Sequence, residues 1–212
     1  MAMKATAKSK TCKSCGPHLP TELWLQILEN IPMHEGEHLW VAVRQVSRRF
    51  RDYVERLFVS TYLPHFAISL SLPRRSSNDG TPRCWPGAIP NAQIIMSFNH
   101  TTLKERFATF VSPVELGRGN ERASVEDFRA SGVLTEARLL EAPAWVYTGK
   151  SYMAGRPIRL SMDVEWDETR QRWVWPVDWR ELVGRFYEAK LDARMRKKRT
   201  CPREFHSDHP GP

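Results

Sequence analysis

The stretch Leu19-Pro20-Thr21-Glu22-Leu23-Trp24-Leu25-Gln26-Ile27-Leu28 decides the reading of this chain, together with Leu39, Val43, Val46-Ser47-Arg48-Arg49-Phe50-Arg51, Val54 and Leu57. Leu23, Trp24, Ile27, Leu28 and Ile31 recur at helical spacing and make one apolar stripe. Pro20 suits a first helical position, where its missing N–H costs nothing, and Pro32 stops the helix. Residues 32–38 read as a polar connection. Leu39, Trp40, Val43 and Val46 mark a second helix. Ser47 is the expected N-cap of a third, whose stripe is Phe50, Val54, Leu57 and Phe58. Three short helices between residues 20 and 58 cannot hide this much apolar surface among themselves. Leftover apolar surface on a helical module points to docking rather than catalysis.

Beyond Pro64 the pattern changes to period two. Phe66, Ile68, Leu70 and Leu72 alternate with small or polar residues, the signature of a half-buried strand. Residues 73–91, with four prolines and two glycines, read as an exposed loop. Ile94–Phe98, Arg106–Val111, Ala144–Thr148 and Ile158–Leu160 are further strand candidates, and Ser124 caps a short helix through Ala130. Met162–Val177 reads as a hairpin with a loop at 167–172. Trp166 opposite Trp173 puts Val164 opposite Trp175 and Met162 opposite Val177, with Asp167 facing Arg172 on the other side. Such cross-strand pairs contribute roughly 0.2–1 kcal/mol each. A last helix begins at Asp178, with Glu181 three residues on, presents Trp179, Leu182, Val183, Phe186 and Tyr187, and stops at Pro202. The fold class expected is α+β: a three-helix module over 17–64, then an antiparallel sheet with packed helices over 65–199, between disordered tails at 1–16 and 200–212.

The 41% hydrophobic and 10% aromatic content supports a packed core, and the eight tryptophans are expected mainly inside it. The net charge of +8 is carried largely by Lys4–Lys13 and Arg194–Arg203, so it belongs to tails more than to a folded face. Arg196-Lys197-Lys198-Arg199 is a candidate import signal. No apolar run is long enough to cross a bilayer, and no secretory segment follows Met1–Lys10. Cys12, Cys15, Cys84 and Cys201 lack the spacing of a disulfide scaffold, which suits reduced thiols in the cytoplasm or nucleus.

The opening helices resemble an F-box over about 45 of the 212 residues. Leu19-Pro20-Thr21-Glu22-Leu23, Ile27-Leu28, Leu39 and Val46-Ser47-Arg48-Arg49-Phe50 follow that family's pattern in order. The connection from Ile31 to Leu39 is a few residues longer than usual, an insertion that costs little. Leu139–Tyr147 and Trp175–Arg180 are similar to the C-terminal parts of F-box proteins of filamentous fungi. The resemblance implies docking to the Skp adaptor of a cullin–RING (SCF) ubiquitin ligase through Leu19, Pro20, Leu23, Ile27, Leu28, Ile31, Leu39, Val43, Val46 and Phe50. It further implies capture of an unknown protein substrate by the C-terminal domain, with no covalent chemistry and no cofactor or metal of its own.

Competing motifs read less well. His34-Glu35-Gly36-Glu37-His38 has the spacing of a zinc-protease helix, but Pro32 precedes it, Gly36 interrupts it and no apolar stripe flanks it. Cys12-x-x-Cys15 lies nearly two hundred residues from Cys201, His206 or His209, its only candidate zinc partners. Gly117-Arg118-Gly119 lacks the strand–helix setting of a phosphate loop. His18, His65 and His100 read as surface or loop residues. The first alternative is a nucleic-acid-binding protein that uses its helices as a helix-turn-helix, with Arg44, Arg48, Arg49 and Arg51 on phosphates; a small enzyme housed in the sheet and an F-box serving some other assembly are the others.

Overall fold

The computed structural model describes residues 19–71, 93–101, 106–118, 121–149, 155–161 and 163–200. The tails expected at 1–16 and beyond residue 200, the loop at 73–91, Leu72, Met162, His18 and all four cysteines lie outside the described residues.

Helix α1 spans Thr21–Glu29. Pro20 sits at its N-cap, one residue outside the helical position expected of it, and the Asn30 side chain donates to the Gln26 carbonyl at the far end (2.8 Å). The polar connection expected at 32–38 is instead helical. A tight turn at Met33–Glu35 leads into Gly36–His38, a widened π turn at Leu39–Val43 and Arg44–Val46, one continuous run here called α2. Gly36 explains the miss. It reads locally as a breaker, yet a Cβ there would stand 2.5 Å from Tyr62 Cε1 and 2.7 Å from the Tyr187 hydroxyl. The glycine lets α2 press against distant aromatic residues, which no local pattern reveals. Ser47 is extended, and its Oγ accepts the Phe50 N–H (3.3 Å) as the N-cap of α3, Arg48–Leu57. Helical turns at Phe58–Tyr62 and Leu63–His65 carry the chain into the sheet.

Seven antiparallel strands follow: β1 Phe66–Ser71, β2 Gln93–Thr101, β3 Phe107–Val111, β6 Ala144–Thr148, β7 Arg156–Pro157, β8 Glu165–Asp167 and β9 Arg172–Asp178. They lie in the order β7-β6-β1-β2-β3-β9-β8. A separate hairpin, β4 Glu115–Arg118 with β5 Glu121–Ser124, leads into α4, Val125–Ala130, capped by Ser124 (Asp127 N–H to Oγ, 3.0 Å). Helix α5, Glu136–Glu141, is capped by Thr135. Helix α6, Trp179–Thr200, begins where Asp178 Oδ1 accepts the N–H groups of Arg180 and Glu181.

The expected register Trp166↔Trp173 and Asp167↔Arg172 is observed. The four-residue turn 168–171 is held by Asp167 Oδ1, which accepts from the N–H groups of Thr169 and Arg170 (3.0 Å each), with Gln171 in the left-handed region. The pairing of Val164 with Trp175 does not occur. β8 starts at Glu165 opposite Val174, and the Trp175 indole instead donates to the Ser161 carbonyl (3.2 Å). Val177 pairs with Ala108 of β3 on its other edge, and the expected pairing of Met162 with it lies outside the described residues. The strand expected at Ile158–Leu160 is also corrected: the paired residues are Arg156 and Pro157, and Ile158 adds one bond to the Ala144 carbonyl (2.9 Å).

The interior is continuous across residue 64. Trp40 of α2 packs on Phe58 (4.8 Å between ring centroids) and on Trp179 of α6 (5.8 Å), while Phe58 stacks on Tyr62 (4.4 Å). Phe66 of β1 meets Phe186 (5.4 Å). Trp173 and Trp175 are buried on one face of β9, whereas Trp145 and Trp166 are half-buried. An ionic clamp reinforces this seam. Glu55 of α3 accepts from Arg44 of α2 (Nη2, 2.5 Å) and from Arg180 of α6 (Nε, 2.8 Å), and each guanidinium lies over a tryptophan, Trp40 at 4.4 Å and Trp179 at 4.5 Å. Charge-assisted bonds of this kind contribute roughly 1.5–3 kcal/mol. Glu55→Ala is therefore expected to cost about 2–3 kcal/mol in urea unfolding, with helices and sheet melting together. An unchanged midpoint would show the clamp to be ornamental.

Candidate docking surface

The apolar residues of the opening helices separate into two faces. On α1, Trp24 and Leu28, four residues apart, turn inward: the Trp24 ring meets Phe50 edge-on at 5.0 Å, and Leu28 is 4% exposed. Leu19, Leu23 and Ile27 form the opposite stripe at the same spacing, and Leu23 and Ile27 are 42% and 48% exposed. Pro20 is exposed beside them. Helix α1 is fixed on α3 by Thr21, whose Oγ1 accepts from Arg49 (2.7 Å) and from the Tyr53 hydroxyl (3.0 Å). On α2, Val41 and Val46 face outward, Val46 at 69%.

The ten residues expected to dock thus do not share one environment. Leu19, Pro20, Leu23, Ile27 and Val46 are exposed, and Ile31, Val43 and Phe50 are half-buried. Leu28 and Leu39 are withdrawn from the surface, Leu39 completely (0% exposed). Their inward turn is set by tertiary packing, because both stripes of α1 are equally greasy in sequence. Exposed Val41 and Met33 carry no motif signal and escape the sequence reading.

The arginines of the helix-turn-helix alternative are partly committed. Arg44 is in the Glu55 clamp and Arg49 bonds Thr21, while Arg48 and Arg51 are exposed. In the His-Glu-x-x-His segment, His34 pairs with its neighbour Glu35 (3.6 Å), and Glu37 holds Lys190 (3.2 Å) and Arg194 (2.6 Å) of α6. The segment fastens helices to each other. His65 ends a helical turn and His100 lies in β2, both exposed; Gly117 and Arg118 lie in β4. Among the described residues no cluster of His, Cys, Asp and Glu is arranged to hold a metal ion, and no helix is long and apolar enough to cross a membrane.

Two phenols sit under the same seam. Burial raises the pKa of Tyr187 well above its ordinary 10.0, with Tyr62 and Glu37 adding to the effect. Burial, then Glu35, raises that of Tyr62. A folded-state pKa raised in this way contributes stability that is complete below the unfolded value and is lost as pH climbs toward the folded one. Absorbance titration is expected to show these two phenols ionising above the ordinary tyrosine range, with unfolding favoured above about pH 10. Normal titration in the folded state would contradict the packing of Gly36 against them.

The F-box domain family model matches residues 17–59. The matched segment covers α1, α2 and α3 and ends just inside the turn that follows. No curated protein and no solved structure matches the chain. The F-box region is followed by an antiparallel sheet and a long C-terminal helix, a mixed α+β arrangement.

Proposed function

We propose that this chain is an adaptor subunit of an SCF ubiquitin ligase. The F-box region docks the Skp adaptor, and the sheet with its helices carries a protein substrate. The observation that bears most weight is the division of the helices into two apolar faces. One is sealed against α6 and the sheet, while the other, Leu19, Leu23, Ile27 and Val46, is left in water. Large exposed apolar side chains on otherwise packed helices support a docking surface. The chain would do no covalent chemistry. Its contribution is proximity, which raises the effective concentration of a target lysine near the transfer machinery. Such a subunit acts in the cytoplasm or nucleus.

The test is reconstitution. The full chain mixed with purified Skp adaptor should form a one-to-one complex by size-exclusion chromatography with light scattering. Two species that elute independently at micromolar concentration would remove the proposal.

A further inference from the structure

A cavity of about 290 Å³, at the small end of the range for ligand sites, opens where the F-box region, the sheet and α6 meet. It is lined by Met33, Tyr62, Phe66 at the start of β1, Thr148 at the end of β6, and Tyr187 and Lys190 of α6, among others. Tyr62, Phe66 and Tyr187 are buried, while Met33 and Thr148 are exposed. Buried aromatic rings and water-facing side chains thus border the same space.

One polar group on this wall is unsatisfied. The Tyr62 hydroxyl is buried and has no hydrogen-bond partner. A buried donor without an acceptor is destabilising, and a cavity beside it is where the missing acceptor can sit. Burial, then Glu35, keeps this phenol protonated, so what it offers is a donor. Charge narrows the ligand further. Among the described residues that line the cavity, Lys190 carries the one full charge at neutral pH, with the exposed His34 and His65 beside it. Glu37, 3.2 Å from the ammonium, already neutralises that charge. An anion would meet Glu35 and Glu37 close by, and a cation would meet Lys190. A neutral oxygen meets neither penalty.

We infer that this cavity binds a small neutral molecule with an apolar body and a carbonyl oxygen, which takes the Tyr62 O–H while the body packs on Met33, Phe66 and the Tyr187 ring. The site is independent of the adaptor reading. The probe is benzamide, compared with benzoate and benzylamine, which set a negative and a positive head on the same ring. In spectra of the full chain carrying carbon-13 methionine methyls, the Met33 signal, assigned with Met33→Leu, should shift saturably with benzamide in the millimolar range. Both charged analogues should bind roughly threefold more weakly, or worse. Tyr62→Phe removes the hydroxyl alone, so it should weaken benzamide roughly fivefold and leave the melting temperature unchanged or higher. Thr148→Trp, at an exposed position, should fill the cavity and abolish the shift without unfolding the chain. No saturable shift with benzamide, tighter binding of benzoate, or equal benzamide affinity in Tyr62→Phe would each overturn the inference. A lower melting temperature in Tyr62→Phe would overturn it too, by showing that the hydroxyl already has a partner.

Discussion

Leu23→Glu combined with Ile27→Glu is expected to weaken binding of the Skp adaptor by roughly three orders of magnitude, about 4 kcal/mol, while the chain stays folded. Full burial of a leucine or isoleucine contributes about 1.5–3 kcal/mol, so covering the exposed part of these two contributes roughly 2 kcal/mol. Two carboxylates carried into the same apolar contact add at least about 2 kcal/mol of uncompensated desolvation. The folded chain loses little, because both side chains face water and surface changes of this kind usually fall within about 0.5 kcal/mol. Calorimetry gives the affinity, and circular dichroism on the same samples gives the melting point. Wild-type affinity with an intact melt would mean that the exposed stripe of α1 is not the docking face. Leu28→Glu makes the contrast: at 4% exposure it should unfold the helices rather than spare them.

Trp179→Ala is expected to be the most damaging single truncation of the interior. The side chain is fully buried at the first residue of α6, against Trp40 of the F-box region and beneath the Arg180 guanidinium. Removing a buried tryptophan costs about 3–5 kcal/mol, and at this chain length that lowers the melting temperature by roughly 10 °C. The form of the transition matters as much as its midpoint. If helices and sheet share one interior, tryptophan emission and far-ultraviolet dichroism should move together through a single urea transition, displaced as a unit in the variant. Two separated transitions would show that the helices fold independently, and the seam through Trp40 and Trp179 would then contribute little.

These expectations draw on different depths of the sequence. The turn end of the hairpin, Trp166 opposite Trp173 and Asp167 opposite Arg172, was legible because its information is local: paired aromatics, an opposite-charge pair and a turn between them. The caps at Ser47 and Ser124 were legible for the same reason. The three helices and their apolar spacing were also readable, as was the F-box pattern on them. Sidedness was not. Leu23 and Leu28 look alike in sequence, and only α3 lying across Trp24 decides which of them meets water. Gly36 reads as a break until Tyr62 and Tyr187 arrive from elsewhere in the chain. The same holds for Glu55 and Arg180, which are 125 residues apart and meet only after folding. Helix α5 and the β4–β5 hairpin were missed because their short segments lack a sustained period, although Thr135 offered a cap.

If the chain is the adaptor proposed above, the clamp on Glu55 would also govern reach. With Arg44 on one helix and Arg180 at the root of another gripping the same carboxylate, the sheet and the F-box helices turn as one lever. Cargo held on that sheet would be presented at a constant bearing and distance, so which of its lysines comes within range would follow from the lever's length and angle, with no slack tether to average over them.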